Sequence, residues 1–472
     1  MIGGILARRD DRLALIAPSE NARLTYAELG ARVNALADGL REAAGGERCL
    51  VFLAPGPDLH AVLFYLACLK AELPVCLAEP QTAPLVRLAH AYRPALVLMP
   101  DTLVIPEGWR AGAPLASGYV VARAVSPGRL PLHPDLAVLL TTSGSTGSPK
   151  LVRLAARNLE SNARRIGEYL ELRPDERAIQ SLPIYYSYGL SVLNSHLLAG
   201  ASVVLTPHSF MRPEFWRDVD EQQATSFAGV PYMYETLHRL RFDPARHPSL
   251  RTFTQAGGAL RRDLVEHFRV RASQAGARLV VMYGQTEATA RISYVPPGRL
   301  AEKVGSIGIP IPGGRLRLAP VEGAQAGTGE LVYEGENVML GYADAPADLA
   351  LGDEQRGVLR TGDLATVDAD GYFTVVGRLK RFAKLFGRRV SLEDVEREVE
   401  TVFPVRAIAS EAGERLCISA AVDGDVRDEA IAAHLAKFLA VPPAAIVVRR
   451  VDELPLTATG KKDYKAVLES GR

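Results

Sequence analysis

Segments with helical periodicity, such as 26–40 and 158–170, alternate along this chain with short apolar or β-branched runs such as Leu96-Val97-Leu98-Met99 and Leu279-Val280-Val281-Met282. This alternation constrains the fold more than any other feature. Strands separated by helices pack most naturally as parallel sheets with the helices laid over their faces. The expected class is therefore α/β. At 472 residues the chain exceeds the roughly 250–300 at which a single core usually splits, so two or more structural units are expected. From Gly329-Glu330-Leu331-Val332-Tyr333-Glu334 onward the pattern turns rich in strands and turns, and Asp370-Gly371 between apolar runs signals a hairpin. Past Gly377-Arg378, residues 392–402 read as a helix within a compact C-terminal part of about 90 residues.

Chemistry is concentrated in Thr141-Thr142-Ser143-Gly144-Ser145-Thr146-Gly147-Ser148-Pro149-Lys150, directly behind the apolar run 136–140. Glycines let successive backbone N–H groups converge on phosphate oxygens, hydroxyls add donors, and Lys150 supplies a mobile positive charge. It is not a Walker loop: counted from Gly144, Pro149 stands where the second glycine belongs and Leu151 follows the lysine. Lys plus Arg number 55 and Asp plus Glu 54, so there is no global basic footprint and no nucleic-acid partner is expected. Cys49, Cys68, Cys76 and Cys417 form no C-x-x-C pair and read as small apolar residues of a protein in a reducing compartment. The N-terminus is charged too early for a secretory signal, and apolar runs such as 121–125 and 201–205 are far short of the roughly 18 residues that span a bilayer. The expected location is cytoplasmic. No G-x-S-x-G elbow is present, which removes support for a serine hydrolase.

The 141–150 run resembles the nucleotide loop of the adenylate-forming superfamily of acyl- and aryl-CoA synthetases, peptide-synthetase adenylation domains and luciferases. Further segments follow in family order. Thr254-Gln255-Ala256-Gly257-Gly258-Ala259-Leu260 is similar to the adenine-side loop, and Tyr283-Gly284-Gln285-Thr286-Glu287-Ala288 to the core loop. Leu359-Arg360-Thr361-Gly362-Asp363-Leu364 and Gly377-Arg378 resemble the ribose-binding and hinge segments, and Pro455-Leu456-Thr457-Ala458-Thr459-Gly460-Lys461 the catalytic-lysine loop. The resemblance implies an N-terminal domain over 1–377, built of helix-covered sheets plus a distorted β-barrel. A hinge at 378–382 and a small mobile α+β lid over 383–472 follow.

It also implies roles. Thr142, Ser143, Gly144, Ser145, Thr146, Gly147 and Lys150 would hold the ATP phosphates, and Gly257, Gly258, Ala259, Gly284, Gln285 and Thr286 would line the nucleotide site. Tyr283 would flank adenine, Glu287 would hold Mg²⁺ beside the phosphates, Asp363 would accept the ribose hydroxyls, and Arg378 would contact ribose or phosphate. Lys461 would bridge the acid carboxylate and the α-phosphate, with Thr286 and Glu287 beside it in catalysis. Lys462 is expected to be a solvated neighbour. Two departures from the family pattern stand out: Lys380 occupies a hinge position that often bears aspartate, and Arg157 precedes Asn158-Leu159 where a histidine is common.

Pro183-Ile184-Tyr185-Tyr186-Ser187-Tyr188-Gly189-Leu190 resembles the loop that gates the acid pocket. Tyr186, Tyr188, Gly189, Val230, Pro231 and Tyr232 would line it. No aspartate lies between 183 and 200 to pair with a substrate α-ammonium, so a fatty or aromatic acid is expected rather than an amino acid. Lys380, Arg381, Lys384, Arg388 and Arg389 form a basic run beside Gly387, which resembles the thiol-tunnel glycine; such a run ordinarily marks a solvated face. The activity implied is ATP-dependent ligation of a small-molecule carboxylic acid to a thiol through an acyl-adenylate. CoA is the expected acceptor, since no carrier domain follows residue 472. Alternatives are a stand-alone loader of an acyl carrier protein and a silent nucleotide- or acyl-binding scaffold. Oligomeric state is left open between monomer and homodimer.

Overall fold

The computed structural model describes the chain apart from residues 9, 127, 129, 142–149, 323, 380, 386–387, 413–414, 423–425, 440, 457–461 and 470–472. The chain folds into two compact units, Met1–Arg315 with Tyr333–Leu359, and Leu316–Val332 with Arg360–Arg472.

The first unit holds two mixed sheets. In the nine-stranded sheet, Arg278–Tyr283, Thr252–Gln255, Ser226–Gly229, Arg177–Gln180, Ser202–Leu205 and Leu13–Ala17 run parallel as neighbours in that order. In the eight-stranded sheet the parallel set is Leu136–Thr141, Val75–Leu77, Val51–Leu53 and Leu96–Pro100. Parallel strands are buried on both faces, which is why these segments read as continuous apolar runs. Both sheets contribute to one apolar core that also contains the helices Tyr26–Ala43, Leu59–Ala71 and Ser187–Ala199. Leu59–Ala71 is apolar almost all round and accordingly buried on nearly every side. Tyr26–Ala43 begins in a capping box, in which Thr25 Oγ1 accepts from Glu28 N and the Glu28 carboxylate accepts from Thr25 N. All four cysteines are free thiols, with Cys68 and Cys76 fully buried.

A four-stranded sheet, most of it in the second unit, pairs in the order Arg315–Ala319, Gly329–Glu334, Val358–Val367, Phe373–Arg378. Asp368 and Gly371, with φ of 81°, close the expected Asp-Gly hairpin. A hairpin of Phe382–Leu385 with Arg388–Ser391 follows. A three-stranded sheet of Val405–Ala412, Arg415–Val422 and Ile446–Val451 then packs on the helices Leu392–Val402 and Asp428–Leu439. Among the described residues no helix is long and apolar enough to cross a membrane.

Candidate active site

The strand Arg278–Tyr283 delivers the chain into a single 3₁₀ turn, Thr286–Ala288, that carries Glu287. Gly284 makes the approach possible: a methyl group there would lie 1.7 Å from Ala290 O, so no side chain fits. Glu287 is held at both ends. Its carbonyl accepts from Met339 N at 2.9 Å, and its Oε1 accepts from Tyr342 Oη at 2.8 Å. Burial and the Glu287 carboxylate together push the Tyr342 phenol far above its usual range, so it stays a donor. Lys150 Nζ lies 3.8 Å from the centre of the Tyr342 ring, a cation–π contact that brings the end of the phosphate-loop motif to the same place.

Sequence reading missed Tyr342, and the structure shows what supports it. Its strand, Gly341–Ala343, pairs antiparallel with Leu151–Ala155, setting Tyr342 opposite Val152. Arg153, fully buried, donates from Nε to Tyr342 O at 3.0 Å and pairs with Glu354 through Nη2. Asn337 was missed as well. Its amide donates to Ala288 O and Arg291 O while its carbonyl accepts from Thr289 Oγ1 at 2.7 Å. Thr289 has φ of 65°, a conformation costly for a β-branched residue, and Asn337 holds it there. Nothing in local sequence marks these residues, because they act across about 50 positions of chain or more.

The expected acid-pocket residues are partly brought together. A methyl group on Gly257, where φ is 87°, would meet Tyr186 Oη at 2.5 Å and Val230 Cγ1 at 3.0 Å, and one on Gly258 would meet Pro231 Cγ at 3.2 Å. Ala259, exposed, continues that loop. Gly189 closes the turn into the helix Ser187–Ala199, where a methyl would lie 2.2 Å from Pro183 O. Ser187 Oγ is 3.2 Å from Thr286 Oγ1, joining this helix to the core loop. Tyr188 is buried, its hydroxyl 2.8 Å from Thr254 Oγ1. Tyr232 instead lies edge-on to Phe210 with its hydroxyl toward Met211. Gln285 Nε2 donates to Tyr283 Oη at 3.1 Å, fixing the ring expected beside adenine.

In the second unit, register places Asp363 opposite Arg378 on adjacent antiparallel strands, and Arg378 Nε lies 2.9 Å from Asp363 Oδ1. Thr142, Ser143, Gly144, Ser145, Thr146, Gly147, Lys380, Gly387 and Lys461 lie outside the described residues. Two expectations are corrected there. Lys462 is not solvated: its Nζ reaches Glu400 Oε1 at 2.9 Å, Glu396 Oε2 at 3.2 Å and Ala407 O at 2.7 Å. Arg381 likewise leaves the solvated face, because it pairs with Glu396 at 2.8 Å and lies 3.8 Å from the centre of the Tyr464 ring. Paired carboxylates inside the unit outcompete water for both cations, a preference invisible in a run of basic residues.

Fold and site define an adenylate-forming ligase. The chain belongs to the family of AMP-binding enzymes, whose profile matches residues 5–343. It is 33% identical over 469 residues to a feruloyl-CoA synthase of an Amycolatopsis species, covering 93% of this chain and 92% of that one. It is 30% identical to an indoleacetate–CoA ligase of Aromatoleum aromaticum, with 96% and 95% covered, and 30% identical to a sulfoacetate–CoA ligase of Cupriavidus necator, with 83% and 80% covered. The fold matches that of ATP-bound MatB from Rhodopseudomonas palustris with a TM-score of 0.79 at 23% identity, covering 99% of this chain and 98% of that one. The protein is an AMP-forming acid–thiol ligase.

Proposed function

We propose that this enzyme activates a carboxylic acid lacking an α-amine with ATP and passes the acyl group to CoA. The observation that carries the reading is the array in which Tyr342 donates to Glu287 beneath Lys150. A carboxylate and a cation so held suit a triphosphate whose charge must be met as pyrophosphate departs. The acid oxygen attacks the α-phosphorus, the bond to the bridging oxygen of pyrophosphate breaks, and acyl-adenylate forms. A thiol sulfur then attacks the acyl carbon, AMP leaves, and the thiol proton passes to solvent. The relatives' names, with feruloyl, indoleacetate and sulfoacetate, agree with an acid that is not an amino acid.

Mg²⁺ fits the residues present. Glu287 is a single, partly exposed carboxylate, and among the described residues no group of three or more potential ligands forms a cage. One carboxylate completed by phosphates and water is the usual Mg²⁺ arrangement, and the ion would neutralise phosphate charge. Asp363 would take the ribose hydroxyls, with Arg378 beside it.

Pyrophosphate release across an acid panel, with and without CoA, tests the reading. Acid-dependent release with CoA thioester as product is expected; release without thioester would move the acceptor to a carrier-protein thiol, and no release with any acid would overturn the reading. Tyr342→Phe should lower the adenylation rate about tenfold to a hundredfold and raise the Mg²⁺ concentration needed, as loss of a ligand's supporting hydrogen bond does. An unchanged Mg²⁺ dependence would remove Glu287 from metal binding.

We further assign 378–382 as a hinge about which residues 383–472 turn between the half-reactions. Lys380→Pro, which fixes φ and removes a donor, should leave adenylate formation intact while thioester formation falls at least about tenfold. Unchanged overall turnover would rule out a pivot there.

A further inference from the structure

Beneath the helices Ala156–Tyr169 and Ser187–Ala199 lies an interior cavity. Its walls include Val192 and Phe227, and among its polar groups are Ser191, His196, Thr254 and Arg291. Arg291 is the unusual member. Only 2% of it is exposed, and its Nε has no hydrogen-bond partner. Among the described residues no carboxylate pairs with it. Glu176, which also lines the cavity, is taken up by Arg251 at 3.4 Å and by Thr225 Oγ1 at 2.6 Å. The other neighbours are aromatic: the guanidinium carbon lies 3.9 Å from the centre of the Tyr188 ring. Burial drives His196 toward its neutral form, so it neither repels an anion nor balances Arg291.

A guanidinium in this position is costly to bury, and a ring face returns only part of that cost. It is nonetheless fixed in place. Arg291 O accepts from both Asn162 Nδ2 at 3.1 Å and Asn337 Nδ2 at 2.9 Å, which holds the backbone from which the side chain enters the cavity. Arg291 lies four residues past Glu287, and Tyr188 directly follows Ser187, whose hydroxyl meets Thr286. The cation, without a carboxylate partner among the described residues, thus lies over the ring of the residue next to the one that meets the core loop.

We propose that the acid activated here carries a second anionic group, a carboxylate or sulfonate, remote from the reacting carboxylate, and that Arg291 receives it in this cavity. The inference rests on the acid-activating reading of the site. Charge-assisted, bidentate pairing is what a buried guanidinium offers such a group, and the same charge repels an ammonium.

The test uses the full chain with ATP, Mg²⁺ and CoA. Pyrophosphate release is measured for α,ω-dicarboxylic acids of stepped length and for ω-sulfo acids, each against the monocarboxylic acid of equal chain length. At the best length the dianion should exceed its partner in kcat/KM by about a hundredfold or more, the scale of one buried charge pair. Arg291→Met should erase that preference chiefly through KM, and Arg291→Lys should restore part of it. The wild-type comparison stands even if a variant fails to fold. If monoacids are adenylated and thioesterified as well as dianions at every length, the anion subsite is wrong while acid activation survives. If no acid releases pyrophosphate, both fall together.

Discussion

Lys461→Ala is expected to slow pyrophosphate release about a thousandfold while a supplied acyl-adenylate is still converted to thioester at close to the wild-type rate. The proposed role of Lys461 is to meet the incoming carboxylate and the α-phosphate together. A cation placed where charge develops contributes about 10²–10³ in rate when removed singly, and the positioning of two anions adds to that. The second half-reaction has no departing pyrophosphate, so the residue has nothing to stabilise there. Single-turnover measurement of each half-reaction separates the two. Equal loss in both would show that Lys461 supports the whole site rather than adenylation.

Its neighbour should behave in the opposite way. Lys462→Met is expected to destabilise the C-terminal unit by about 3–5 kcal/mol, the cost of leaving buried partners without their counter-charge. Glu396 would keep Arg381 and the Ala409 N–H, and Glu400 would keep the Ala407 N–H. Burial alone would lower the Lys462 pKa, but Glu396 and Glu400 outweigh it and raise the value above 10.5. A raised folded-state pKa means that the stabilisation is fully present below the unfolded value and is lost only as pH rises through the folded one. Denaturant unfolding of the wild type and the variant at neutral pH should therefore show the full difference, and a narrowing one only at strongly alkaline pH. A difference under about 1 kcal/mol would place Lys462 in solvent. Thus two adjacent lysines separate by assay, one in chemistry and the other in folding.

Both lysines follow the same glycine, and sequence distinguishes them only by order. The position directly after the glycine selects Lys461 by resemblance to the family and leaves Lys462 expected in solvent, an expectation that the pair Glu396 and Glu400 overturns. Those glutamates are four residues apart on the helix Leu392–Val402, so they share a face. That much was legible, but not that residues 462 and 407 would come to meet it.

The strand and helix pattern was readable because it is local. The helix 392–402 and the runs at 96–99 and 279–282 all occur as elements, since burial on one stripe or both faces writes a period into consecutive residues. Gly284, Gly189 and Gly257 stood in segments named by the family resemblance, and the structure supplies the steric reason for each, since backbone there approaches a carbonyl or ring to within a methyl radius. The Glu287 loop and Asp363 were singled out by short motifs that resemble the family's.

What only tertiary structure decided are the partners that act across long stretches of chain. Tyr342 reaches Glu287 because its strand pairs with residues 151–155, almost two hundred positions earlier. Arg291 is buried with its Nε unsatisfied only in the assembled interior, beneath the helices Ala156–Tyr169 and Ser187–Ala199. Sequence determined which segments could be strands, helices and tight loops, because torsional preference and hydrophobic period act between near neighbours. The charge state and purpose of a side chain depend instead on what is excluded around it, and desolvation is a property of the assembled interior.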